Sequence, residues 1–283
     1  QITVAVIDDG VEEHPDLEDS SGNSRLLPGN TPANGGDGSP VLMSDAHGTA
    51  CAGIIAASHN NMHVRGIAPN VELISVNIFQ GSETISDIAN AFNYARTNGA
   101  DVISNSWGYT SCTLSLSAIN SAINNARNNG RGGLGCVIVF AAGNGYKSCV
   151  DYPGDLSNVL AVGAVTSLGT HSNYSNTGPA LDIVAPSNSA PGQSGPGVRT
   201  IDRVGSAGYS SGSSTSGFGG TSAACPLVAG TAALLLSYDS DLTEDEVRTI
   251  LENNATDMGA SGFDNTFGHG RVSAYDALLA LNP

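Results

Sequence analysis

The chain has 283 residues, 40% of them hydrophobic, with a mean hydropathy of −0.03. That is enough apolar side chain for one large α/β domain, and it excludes disorder as the general state. Ten Lys and Arg against 26 Asp and Glu leave a formal charge of −16, which repels phosphate backbones and excludes nucleic acid as an expected partner. The longest apolar stretches, such as residues 136–142, end well short of the roughly 18 to 20 residues that span a bilayer, so no membrane is expected either. Gln1 stands almost directly before a strand-like run at residues 2–7, with no signal peptide ahead of it, which reads as a processed chain.

Apolar, β-branched runs then alternate with segments of helical period, the pattern of a parallel sheet with crossover helices. In chain order the spacing predicts a strand at residues 3–7, a helix at about 47–57, a strand at 72–76 and a helix at 86–98. Next come a strand at 102–105, a helix at 114–128, and strands at 137–141 and 159–162. Residues 187–220 turn to Gly, Ser and Pro and read as a long surface loop with short hairpin strands. A helix then begins near Thr221 and runs to Tyr238. Thr243 opens another, with Glu246 at the capping-box spacing, and a last helix covers 274–281. The expected fold class is α/β, a three-layer arrangement with a mostly parallel sheet flanked by helices, in a single domain spanning residues 1–283.

Five cysteines, Cys51, Cys112, Cys136, Cys149 and Cys225, form no CxxC pair, and their odd count leaves at least one without a partner in the chain. The six histidines are scattered and give no zinc spacing; His59 and His63 are four apart, but in an Asn-rich stretch that does not read as a helix.

Open α/β sheets collect their reactive groups beyond the carboxyl ends of the strands. Four such places stand out. The first strand ends in Asp8-Asp9-Gly10, and His47-Gly48-Thr49 opens a helix rich in Ala and Gly. Asn144 follows a buried strand in Ala-Ala-Gly-Asn-Gly, and Ser222 starts an Ala-rich helix in Gly-Thr-Ser-Ala-Ala-Cys-Pro. Asp, His and Ser are what acyl transfer requires: a hydroxyl, an imidazole to take its proton, and a carboxylate to fix the imidazole's tautomer. The Asn144 amide and the backbone N–H of Ser222 at a helix N-terminus supply donors for an oxyanion.

In that chain order the motifs resemble those of the subtilisin-like serine proteases, from Ile2 to about Leu281. The doubled Asp8-Asp9, His47-Gly-Thr-Ala-Cys-Ala-Gly53, Ser106-Trp107-Gly108 and residues 130–135 are most similar to the kexin and furin-like branch. The resemblance implies a serine endopeptidase with Asp8, His47 and Ser222 as triad, Asn144 as oxyanion donor with Thr221 behind it, and Ser106 to Gly108 as an edge for the substrate backbone. It implies Asp151 at the base of the pocket for P1, the residue before the scissile bond, with Asp9 and Asp45 near the next pocket. Cleavage after Arg or Lys is expected, preferably with a second basic residue before it. Calcium is the implied cofactor, held by the side chains of Asp16 and Asn60 and the carbonyls of Ser58, Met62 and Val64. The resemblance places Cys112 and Cys149 in the two loops that wall the P1 pocket, where a disulfide between them is expected, with Cys51, Cys136 and Cys225 left free in the core. The leading segment and trailing β-rich domain of that branch are absent from this sequence. The implied partners are polypeptide substrates and a pro-peptide inhibitor of a monomeric, secreted or periplasmic enzyme. A silent peptide-binding protein, or a transpeptidase or macrocyclase on the same fold, is the alternative.

Overall fold

The computed structural model describes residues 1–62, 64–81 and 83–281. Its centre is β1 (Thr3–Asp8), buried at every position. A strand covered on both faces needs a continuous apolar run, and TVAVI supplies it up to the terminal carboxylate. β2 (Leu26–Asn30), β3 (Glu72–Asn77), β4 (Val102–Asn105), β5 (Val137–Ala141), β6 (Leu160–Val165) and β7 (Ile183–Pro186) complete a seven-stranded sheet in the order β2-β3-β1-β4-β5-β6-β7, with every pair parallel.

Helices cover both faces. On one side α1 (His47–Ala56) and α4 (Thr221–Tyr238) pack against Val4, Val6, Val102, Val137 and Val139. On the other, α2 (Ile85–Thr97) and α3 (Ser117–Asn129) pack against Ala5, Ile7, Ile103, Ile138 and Phe140. The period of two along each strand sorts the two sets. α5 (Glu244–Asn253) and α6 (Ala274–Ala280) lean on α4, and α5 opens with the expected capping box between Thr243 and Glu246. A separate antiparallel hairpin, β8 (Val198–Ile201) and β9 (Ser214–Phe218), falls inside the Gly/Ser/Pro-rich segment.

Three expectations are corrected. β2 and β7 were not foreseen, because LLPGN is a half-exposed edge carrying Pro and Gly, and IVAP is only four residues long. α3 begins at Ser117, three residues later than its apolar pattern, since Leu114 and Leu116 pack on the core from the preceding loop. Among the described residues one helix, α4, is long and apolar enough to cross a membrane, with 18 residues at a hydropathy of 1.4; its Thr, Ser, Gly and Pro hide this in a search for unbroken apolar runs. Since 78% of it is buried inside the fold, it is the helix of the core.

The topology also locates a crevice. After β1 the chain builds β2 and β3 on one side, then crosses to β4 on the other, so the strand order switches beside β1. The carboxyl ends of β1 and β4 therefore open onto the place where α/β sheets put their sites.

Candidate active site

Asp8 ends β1 with its side chain 2% exposed, and both its oxygens face Nδ1 of His47, at 2.8 and 3.0 Å. His47 is the first residue of α1, whose N-cap, Ala46, has no side chain to offer the free amides of the first turn. Asp9 takes that part from a distance: its carboxylate accepts from the N–H of His47 at 3.0 Å and of Gly48 at 2.7 Å. The neighbouring aspartates thus divide the work, one on the imidazole and one on the helix that carries it. The approach requires glycine at 48, where a Cβ would stand 2.5 Å from the Gly10 carbonyl and 3.0 Å from Cβ of Asp8.

Burial and the adjacent Asp8 charge push the Asp9 carboxyl up to about 6, against the pull of the two amides. For His47, burial favours the neutral ring, but the Asp8 carboxylate outweighs it and holds the imidazole well above its ordinary 6.5. Phe218 of β9 closes the other side of the ring, with centroids 5.3 Å apart.

Ser222 is the second residue of α4, following Gly220, whose φ of +74° turns the chain into the helix. Four residues later stands Pro226, which has no N–H to give the Ser222 carbonyl. That carbonyl is instead bound by the Ser106 hydroxyl at 3.0 Å and approached by the Cys51 thiol at 3.6 Å, which ties α4 to the end of β4 and to α1. Burial raises the Cys51 pKa, so the thiol keeps the proton it donates. Cys51 Sγ also lies 3.9 Å from His47 Nδ1. The Ser222 hydroxyl itself donates to the Ser106 carbonyl at 3.3 Å; among the described residues no hydrogen bond joins it to His47.

Asn144 is oriented by Thr221, whose N–H and hydroxyl both donate to its Oδ1, at 2.8 and 3.0 Å. A backbone N–H can only donate, so this fixes which end of the amide is oxygen and leaves Nδ2 facing the cleft. The Thr221 hydroxyl in turn accepts from Gly143 N–H at 3.2 Å.

A cleft of about 270 Å³ gathers Ser222, Asn144, Ser106, Trp107, Gly108 and Asp151. Asp9 and Asp45 do not line it: Asp45 accepts from the N–H groups of Val41 and Leu42, at 3.2 and 2.8 Å. Trp107 turns its ring into the core against Phe140. The Cys112–Cys149 disulfide is formed as the resemblance implies, and Cys51, Cys136 and Cys225 are free and buried. The cleft also holds a residue the sequence reading passed over: Lys147, whose Nζ lies 2.6 Å from Asp151 Oδ1. A four-residue spacing signals contact only on a helix, and this segment is a loop, so no sequence signal marked the pair.

On the far side of α1, Asp16 is 1% exposed and accepts from Asn60 Nδ2 at 2.8 Å. Asn60 Oδ1 receives Met62 N–H at 2.7 Å, and the Asp16 carbonyl receives Ser58 N–H at 2.8 Å. Val64 is buried at the end of this loop, and His63 lies outside the described residues.

A serine at a helix N-terminus and a carboxylate-oriented imidazole, both beyond the carboxyl ends of one parallel sheet, put the chain in the class of three-layer α/β proteins with an Asp-His-Ser set. Comparison with known proteins is more specific. The Subtilase family matches residues 1–270. The chain is similar to a calcium-dependent protease of Nostoc sp. (strain PCC 7120), 38% identical over 98% of this chain and 46% of that protein. Against subtilisin Savinase of Lederbergia lenta the identity is 34%, over 96% of this chain and 89% of that one. A protease structure from Pseudoalteromonas arctica PAMC 21717 superimposes with a TM-score of 0.81 at 31% identity, covering 99% of this chain and 89% of the other. The chain belongs to the subtilase family. It spans about half the length of the calcium-dependent proteases it matches. The kexin and furin-like branch finds no support, because these relatives are bacterial subtilisins and calcium-dependent proteases.

The geometry makes the imidazole a testable reporter. In a Ser222→Ala background, the NMR titration of His47 is expected to fall above 6.5, and Asp8→Asn is expected to move it down. A midpoint at or below 6.5 that ignores Asp8 contradicts the assignment.

Proposed function

We propose that the chain is a serine endopeptidase acting through an acyl-enzyme. The observation that carries this reading is the Asp8–His47 pair set beside a serine whose carbonyl is tied to both neighbouring elements. The Ser222 oxygen attacks the scissile carbonyl while His47 Nε2 takes its proton. Asp8 holds Nδ1–H and stabilises the imidazolium. The tetrahedral oxyanion is met by Asn144 Nδ2 and the Ser222 N–H, and its collapse passes the proton from His47 to the leaving amine. Water then attacks the acyl-serine by the same path, releasing the acid and restoring the hydroxyl. The present Ser222–Ser106 bond gives way on turning about χ1, in keeping with catalytic hydrogen bonds that tighten only in the complex. Ser106 to Gly108 pair with the substrate backbone as an added strand.

Asp151, 5% exposed beneath the cleft, supports a preference for Arg or Lys at P1. The place of Asp9 and Asp45 on backbone amides gives less support to a second basic residue. The disulfide supports an oxidising compartment, secreted or periplasmic. Calcium fits the Asp16 loop in donor chemistry: a nearly buried carboxylate, the Asn60 Oδ1 with a second lone pair beyond its one amide, and the carbonyls of Ser58, Met62 and Val64. Bound there, it would anchor the loop after α1 and take no part in the chemistry.

A fluorophosphonate is expected to label Ser222 stoichiometrically, and Asn144→Ala to lower kcat by about 10² to 10³-fold, the usual worth of one oxyanion donor, with KM little changed. Failure to label a folded protein points instead to a silent peptide-binding protein. On peptides differing only at P1, Arg is expected to be cut faster than Leu, and equal rates that persist when Lys147 is replaced, with Asp151→Asn altering nothing, end the basic-pocket reading. Calcium at about 100 times its Kd should stabilise the protein by about 2.7 kcal/mol, seen as a rise in Tm that chelator reverses. The rise should be lost in Asp16→Asn; a Tm indifferent to chelator removes calcium from the account.

A further inference from the structure

The reading of Asp151 as the floor of the P1 pocket rests on a buried carboxylate in want of a cation, yet the chain supplies one itself. Lys147 Nζ sits 2.6 Å from Asp151 Oδ1, with the lysine side chain 30% exposed and the aspartate 6%. The lysine stem lies across Gly145, where a Cβ would stand 2.8 Å from its Cε and 3.3 Å from its Cγ. Gly145 has no positive φ, so the room it leaves for the stem is what its missing side chain provides.

The Lys147 backbone is held independently of its side chain. Its N–H donates to Asn176 Oδ1 at 3.0 Å, and its carbonyl accepts from Thr177 N–H at 2.8 Å. The ammonium can therefore leave for water without disturbing the loop. The other carboxylate oxygen, Oδ2, has no hydrogen bond among the described residues and lies against Gly143, where any Cβ would collide with it. The wall beyond Oδ1 is the disulfide, with Cys112 Sγ at 3.9 Å. Burial, with the nearby Asp151 charge adding to it, raises the pKa of Asp155.

Resting on that basic-pocket reading, we propose that Lys147 determines specificity as an internal counter-cation, which an Arg or Lys side chain of the substrate has to displace or share. The carboxylate's demand for a positive charge is then met before substrate arrives. A neutral P1 side chain leaves no buried charge unpaired, and a cationic one gains only the difference between two ion pairs. Lys147 thus holds the preference for basic residues down and opens the pocket to neutral ones.

The test uses Lys147→Met and Lys147→Gln, with kcat/KM measured on peptides that carry Arg, Lys or Leu at P1 and are otherwise identical. Competitive inhibition by benzamidine serves as a probe of cation binding that does not depend on turnover of a basic substrate. Both variants are expected to raise the Arg:Leu ratio at least tenfold and to lower the benzamidine Ki by a similar factor. Adding Asp151→Asn should cancel both gains. Gly145→Ala, which pushes the stem aside, should move the ratio the same way. If wild type prefers Arg through Asp151 but the ratio and Ki stay within twofold in all three variants, the proposal for Lys147 falls and the basic pocket stands. If neither wild type nor the Lys147 variants distinguish Arg from Leu, and Asp151→Asn alters nothing, the basic pocket falls and takes the proposal with it.

Discussion

The arrangement of the site depends on a hydrogen bond that Pro226 cannot make. In an unbroken helix the Ser222 carbonyl would accept from the residue four positions on. Proline there leaves the oxygen free at the one end of α4 that meets two other elements. The Ser106 hydroxyl takes it from the end of β4, and the Cys51 thiol reaches it from the second turn of α1. Three segments far apart in sequence are thereby fixed on a single acceptor. The cost to α4 is small, because the proline lies within its first two turns and the released carbonyl is satisfied elsewhere.

The same economy of partners governs the carboxylates. A buried carboxylate without donors is costly, and each of those near the crevice has found them: Asp8 the imidazole, Asp9 the first amides of α1, Asp45 two amides of its own loop, and Asp151 a lysine. What separates a reactive group from a structural one here is whether capacity remains facing the cleft. Asp9 and Asp45 serve the backbone around the site. Asn144 has its oxygen engaged twice by Thr221 and, among the described residues, no partner on its nitrogen, a division that would fit it for the proposed oxyanion role.

The central strands, and the residues that the structure brings to the crevice, were legible in the sequence because both rest on local patterns. The run from Val4 to Ile7 is apolar at every position, since both its faces are covered, and Asp8 then marks the end of the strand. Ser222 and His47 each stand just inside a helix whose small residues allow close packing, a pattern visible without the fold. Less was legible where contact depended on the path of a loop. The Lys147–Asp151 pair joins two loop residues, and the part played by Asp9 depends on α1 swinging back over the end of β1. β2 and β7 lie towards the edges of the sheet, where short strands with Pro or exposed positions are enough.

On the proposed reading, selectivity for cations has two separate sources. A net charge of −16 would draw basic polypeptides to the surface as a whole, an effect on encounter that salt screens beyond about 10 Å at 0.1 M. The pocket acts at contact distance, where salt screens little and the Lys147–Asp151 pair decides how much the floor demands of the incoming side chain. A protein of this charge can thus gather cationic substrates without a pocket that insists on them. The buried lysine-bound floor is compatible with broad cleavage in a way that a bare carboxylate is not. On that proposal, net charge would guide the rate of encounter and the internal ion pair would guide the choice.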